Sequence, residues 1–301
     1  MKSYPFSGLV LTIVFAAVGL LRAEDERPVV DASKVREEKA VDPKLPTFFI
    51  VGDSTVKNGT PPGFGWGERI APFFDLAKIN VFNAAIGGRS ARTFFTEGRW
   101  DKVATQLKAG DVVIIQFGHN DGGRIGDPAA KGRPDGRGIG DEVVEDTKTD
   151  GTKELVHTFG WYMAKYVADA KAKGATAILV SPIPHKQSWE TRRDFANYAE
   201  WDGQVAKAGG ALYFDLTMIV SDGYRKIGKE KADSFFSDRG THTNDAGAQF
   251  NAACVVAGLK ALAKNPLAGY FSAKANEVAP YDPTAAPFVA PAQATEPTAT
   301  K

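Results

Sequence analysis

At 301 residues the chain is long enough for one ordinary globular domain with something left over at each end. Its 37 Lys+Arg against 36 Asp+Glu leave a net charge of +1, so no basic field draws a nucleic acid and none is expected as a partner. A single cysteine, Cys254, excludes an intrachain disulfide, and stability must come from the core.

The first segment, "MKSYPFSGLVLTIVFAAVGLLRAEDE", has one Lys, an apolar run from Leu9 to Leu21, and Ala23 before an acidic stretch. The run is short for a membrane span and matches the core of a secretory signal peptide, read here as residues 1–23. Leu21 departs from the small residue preferred three positions before cleavage, and an uncleaved anchor is the alternative. With no Cys after the leader, lipid attachment there is excluded. A secreted or periplasmic protein, free of the membrane after cleavage, is expected. Residues 24–45 are charged, lack an apolar face, and read as a linker.

Phe48, Phe49, Ile50 and Val51 are too few for a helix and lack polar alternation, which predicts a buried strand over Thr47–Val51. Further strands are predicted at Ile79–Asn83, Val112–Phe117, Thr176–Val180 and Ala211–Asp215. Between them fall helical patterns near Trp66–Ala77, Gly98–Lys108, Thr152–Lys173 and Arg192–Ala208, then Leu216–Lys229 and Asn244–Lys264. Strands alternating with helices imply a parallel sheet with helices on both faces, an α/β three-layer domain over residues 46–268. The polar, Gly-rich insert Gly122–Gly151 reads as a loop over a cleft. The Ala/Pro/Thr-rich tail, 269–301, cannot bury enough apolar surface to order itself independently.

In a parallel sheet the carboxyl ends of the strands share one edge, where ligands bind. The first strand ends in "GDST", the second in "NAAIGGRSAR" and the third in "FGHNDGG", so three loops rich in Gly, Ser and Asn converge. Ser54 stands where a nucleophile could stand, although Asp, Ser and Thr after a strand are also ordinary helix caps. Four histidines permit elimination. His157 falls in a helical pattern, His119 shapes the turn beside Asn120, and His185 in "SPIPHKQSW" could line a cleft. His242, in the polar loop "SDRGTHTND" beside Asp238, is the best base for a serine.

"GDST", the Gly before "RSAR", "FGHND" and "THT" resemble the four blocks of the SGNH/GDSL hydrolase superfamily, in order and on the expected strand ends. Within it, "GGRSAR", "FGHNDGG", "SWE" and "HTN" look most like rhamnogalacturonan acetylesterases. The resemblance implies a flavodoxin-like sandwich with a central five-stranded parallel sheet. It implies Ser54 as nucleophile, His242 as base, and an oxyanion hole from the backbone N–H groups of Ser54 and Gly88 with the Asn120 amide. No cofactor is implied, and the expected partner is an acetylated, pectin-like polysaccharide, its sugar facing His185 and Trp189. One departure is the spacing Asp238-Arg-Gly-Thr-His242, a residue longer than Asp-x-x-His. A bulge at Gly240 would leave Asp238 in the acid's place, Asp233 and Asp245 being poorer substitutes.

Three other classes compete with this reading. A metal-dependent phosphoesterase would use Asp53, His119, Asn120 and His242 as ligands, but the order "GHND" and the absence of paired His or carboxylate spacing argue against a metal. A non-catalytic carbohydrate-binding module would use Trp161 and Trp189 for stacking, although aromatics at helical spacing are more often core. A lipase would need a long apolar lid segment, which the polar insert does not supply.

Overall fold

A computed structural model describes residues 41–148 and 150–285. The expected signal peptide, nearly all of the linker and the end of the tail lie outside the described residues. Five parallel strands, β1 (Thr47–Gly52), β2 (Asn80–Asn83), β3 (Val112–Gln116), β6 (Thr176–Val180) and β7 (Leu212–Phe214), form one sheet in the order β2-β1-β3-β6-β7. Ile50 lies opposite Asn83 on one side and Ile114 on the other, and Ile114 opposite Ile178.

The period of two sorts the core. Phe48, Ile50, Val112, Ile114, Ile178 and Val180 face one layer, with α5 (Leu216–Ile227) and α7 (Asp245–Ala261) against them. Phe49, Val51, Val113, Ile115, Ala177 and Leu179 face the other, where α1 (Ala91–Thr96), α2 (Arg99–Ala104), α3 (Phe159–Ala172) and α4 (Ala196–Gly209) provide cover. Both faces being buried explains why the strands read as unbroken apolar runs. The helix α6 (Lys229–Asp233) follows α5 after Gly228.

Four expectations are revised. Trp66–Ala77 forms two single 3₁₀ turns, Trp66–Glu68 and Ala71–Phe73, rather than one helix. Pro72, the second residue of the second turn, cannot continue an earlier helix, having no N–H to donate. The helix expected over Gly98–Lys108 is preceded by α1, and Gly98, in the left-handed region, separates α1 from α2. The pattern Thr152–Lys173 splits into a strand and a helix. Val143–Thr147 (β4) and Lys153–His157 (β5) pair as an antiparallel hairpin, and Thr158 then caps α3 by accepting from the Trp161 N–H at 3.2 Å. His157 therefore ends a strand, with its ring stacked on Trp161 at 3.7 Å. In this strand Leu155 is exposed and Val156 buried, a difference that two adjacent apolar residues do not announce in the sequence. Packing also continues past 268. Ala275 is fully buried, Phe271 bridges to Phe74, and the Tyr281 hydroxyl donates to Asp222 at 2.8 Å.

The insert is bound to the domain by charge. Arg92 of α1, 1% exposed, donates to Asp146 at 2.7 Å, Glu154 at 2.8 Å and the Pro134 carbonyl at 2.8 Å. A buried guanidinium needs such partners, and the hairpin supplies both carboxylates. Beside it, Asp121 accepts from the N–H groups of Ala91 at 2.7 Å and Gly118 at 2.8 Å, while the Asp135 N–H donates to the Asp121 carbonyl at 3.1 Å. Burial pushes the carboxyl of Asp121 up to about 7, and burial together with the neighbouring Asp121 pushes Asp135 well above the carboxylate range.

Such a raised carboxyl holds its proton more tightly in the folded chain than in the unfolded one. Its stabilisation is present below the unfolded value of 3.8 and is lost as pH rises through about 7. Asp135→Asn should therefore lessen the fall in melting temperature across that window. Wild type and variant losing stability in parallel would contradict a protonated Asp135 in the folded chain.

Candidate active site

The turn that presents Ser54 is built on Asp53. The fully buried Asp53 carboxylate accepts from the Thr55 N–H at 2.8 Å and the Thr55 hydroxyl at 2.7 Å, and the Val56 and Lys57 N–H groups fold back onto its carbonyl. Gln116 at the end of β3 donates to the Thr55 hydroxyl at 2.7 Å and accepts from the Trp66 indole at 2.8 Å. Asp53 Oδ1, the Thr55 hydroxyl, the Gln116 amide and the Trp66 indole are thus bonded in series inside the domain, so the turn has little freedom. Burial would raise the Asp53 carboxyl, but His119 and the bonds to Thr55 outweigh it and hold Asp53 below the usual range. His119 Nδ1 lies 3.3 Å from Asp53 Oδ2.

His242 reaches Ser54 from the opposite end of the chain. Its Nε2 lies 2.8 Å from the Ser54 hydroxyl, across 188 residues of sequence. The loop that carries it is pinned on both sides. Ser237 N–H donates to the His242 carbonyl at 2.8 Å, Asn244 N–H to the Phe235 carbonyl at 2.7 Å, and Phe64 N–H to the Thr243 carbonyl at 2.8 Å. Asn244 caps α7 by accepting from the Gly247 N–H.

Behind the imidazole, Asp238 Oδ2 lies 2.5 Å from His242 Nδ1. Its other oxygen accepts from the N–H groups of Gly240 at 2.9 Å, Thr241 at 2.8 Å and His242 at 3.1 Å. The extra residue between acid and base is thus taken up by a turn wound around the carboxylate. Gly240 is not in the left-handed region; a Cβ there would strike the Gln187 side chain, which donates to the Arg239 carbonyl. Partial burial would raise the Asp238 carboxyl, but the three backbone donors and His242 outweigh it and lower it to about 2.

The strand-end loops beside Ser54 carry the other expected donors. Neither the Ser54 N–H nor the Gly88 N–H has an acceptor among the described residues. Gly88 has φ +73°, a conformation costly for a residue with a Cβ, and a Cβ on Gly87 would sit 3.5 Å from that of Ser54. The Asn120 amide donates to the Arg89 carbonyl at 3.1 Å, which brings the second and third strand-end loops together.

The two residues expected to meet substrate diverge. His185 is 30% exposed, its Nδ1 3.0 Å from Asp194, and its ring packs against Phe195 and His119. Trp189 is 2% exposed and cannot stack on a sugar. A 3₁₀ turn, Trp189–Thr191, rotates its ring into the core against Tyr224, 5.8 Å away. Asp194, Phe195 and the insert residue Arg133 escaped the sequence reading, since nothing beside them in the chain marks them. Among the described residues no group of three or more His, Cys, Asp or Glu side chains is placed to hold a metal ion.

A serine hydroxyl, an imidazole and a carboxylate in hydrogen-bonded series at the carboxyl edge of a parallel sheet is the arrangement of serine hydrolases. The chain belongs to the GDSL-like Lipase/Acylhydrolase family, whose profile matches residues 50–250, and is a carboxylic ester hydrolase. It is 38% identical over 207 residues to a rhamnogalacturonan acetylesterase of Emericella nidulans, covering 67% of this chain and 79% of that one. A probable rhamnogalacturonan acetylesterase of Bacillus subtilis, YesY, is 29% identical over 225 residues, covering 71% of this chain and 93% of that one. The crystal structure of YxiM from Bacillus subtilis superposes with a TM-score of 0.55 at 23% identity and shares the fold. That match covers 70% of this chain, which spans 55% of the YxiM chain.

Asp238 has only the geometry of an orienting acid to distinguish it from other loop carboxylates. Asp238→Asn should lower turnover of an acetate ester by about a thousandfold or more, because the amide favours the wrong imidazole tautomer. A fully active variant would assign the orientation of His242 to another group.

Proposed function

We propose that this protein is a serine esterase that removes O-acetyl groups from a polysaccharide, with acetylated pectic rhamnogalacturonan as the preferred substrate. The observation that carries the reading is the unbroken series from Asp238 through His242 to Ser54, and to it we assign three oxyanion donors, the N–H groups of Ser54 and Gly88 and the Asn120 amide. Ser54 Oγ attacks the acetyl carbonyl carbon as His242 Nε2 takes its proton, and Asp238 stabilises the imidazolium. The carbonyl oxygen becomes an oxyanion received by those three donors, which need no reorganisation when charge appears. Collapse returns the proton to the departing sugar hydroxyl and leaves acetyl on Ser54. Water, activated by the same imidazole, then releases acetate.

The names of the relatives support the substrate class, and the polar character of the insert suits a hydrated chain better than a lipid. A small acyl group fits a hole made from loop backbone. With residues 1–23 read as a signal peptide, the enzyme meets its polymer outside the cytoplasm.

Acetate release from acetylated rhamnogalacturonan, xylan and peptidoglycan, measured side by side, should be fastest on the first. Ser54→Ala should abolish release, since loss of a triad nucleophile costs about a millionfold in other hydrolases. Retention of a tenth of the activity would exclude the serine mechanism, and a preference for xylan or for butyryl esters would move the substrate assignment.

A further inference from the structure

We propose that Arg133 is a positioning residue of the oxyanion hole, holding the Asn120 amide in its donating orientation. The proposal rests on the reading of Asn120 as an oxyanion donor given above. Arg133 Nη1 donates to Asn120 Oδ1 at 3.1 Å, while Asn120 Nδ2 donates to the Arg89 carbonyl at 3.1 Å. An amide has one accepting end and one donating end, a guanidinium only donates, and a carbonyl only accepts. One orientation satisfies both neighbours. Rotation of the amide by half a turn would set its NH2 against the guanidinium and its oxygen against the Arg89 carbonyl. The Asn120 NH2 thus has one hydrogen committed to Arg89 and a second left for the oxyanion.

The guanidinium does more than select the orientation. A cation on the amide oxygen draws electron density from the nitrogen and makes its remaining N–H a stronger donor. Arg133 makes no ion pair with a carboxylate among the described residues, so its charge is not neutralised by a contact partner.

Its own position is over-determined. Arg133 Nε and backbone N–H both donate to the Ala130 carbonyl, at 3.0 Å and 3.1 Å. The next three residues are tied to the domain by Arg92 to the Pro134 carbonyl, by the Asp135 N–H to the Asp121 carbonyl, and by the Gly136 N–H to the His157 carbonyl. The insert is therefore a strut whose end touches the oxyanion donor.

A double-mutant cycle tests this with kcat and KM on a small neutral aryl acetate and on acetylated pectin. Arg133→Met should lower kcat on both by roughly tenfold to a hundredfold, less than loss of the donor itself, with KM changed less than about twofold. Arg133→Lys should recover part of the loss. In an Asn120→Ala background, Arg133→Met should change kcat by less than about twofold, since the group it positions is gone. The Lys variant runs the same cycle if the Met variant does not fold. An unchanged kcat, an effect confined to KM, or the same fold-loss in both backgrounds would overturn the proposal. A fully active Asn120→Ala would remove the oxyanion reading itself. A strongly impaired Asn120→Ala with an additive Arg133→Met would leave that reading intact and remove this one alone.

Discussion

The hydrogen bonds of the buried Asp53 carboxylate are the constraint on which the site depends. A fully buried carboxylate is costly unless bonded, and here Thr55 supplies two bonds while Gln116 and Trp66 lock Thr55 in turn. The chain crosses from β1 to β3 and to the first 3₁₀ turn, so the Ser54 hydroxyl inherits the rigidity of the sheet centre. Pre-organisation of this kind holds the hydroxyl and its base at 2.8 Å.

Two further groups of interactions bring the remaining parts to that fixed point. The His242 loop is anchored to residues 64 and 235–237, and its carboxylate is satisfied by the loop's own backbone. The insert is anchored by Arg92, buried between Asp146 and Glu154, and by the paired carboxyls of Asp121 and Asp135. Breaking such a buried ion pair on one side strands a charge, which makes these contacts stringent about which chain segment may lie there. The insert, expected as a cover over the cleft, is bound into the domain and reaches Asn120 through Arg133.

The wall beside the site has a different origin. His119, His185 and Phe195 pack edge and face, with Phe195 in the left-handed region at φ 55° and His185 held by Asp194. A bulky residue in that region is costly and persists only where its surroundings compensate. Trp189, expected at the substrate, serves the core instead, because burying an indole against Tyr224 outweighs leaving it in water.

Much of the architecture was legible in the sequence. Runs such as Phe48–Val51 and Val112–Phe117 can only be strands buried on both faces, and parallel order follows from their alternation with helices. That order places Ser54, Gly88 and Asn120 at one edge, so the residue types of the site and their common location could be named. Local pattern failed where two structures share one composition. Lys153–His157 has two adjacent apolar residues and no alternation to set it apart from the helix it precedes, and Trp189 looks the same in a core as in a cleft. The 2.8 Å contact between Ser54 and His242, the turn around Asp238 and the grip of Arg133 on Asn120 belong to the tertiary structure alone. Each joins segments that only packing brings within hydrogen-bond range, or depends on how a loop is held, and side-chain spacing along a chain encodes neither.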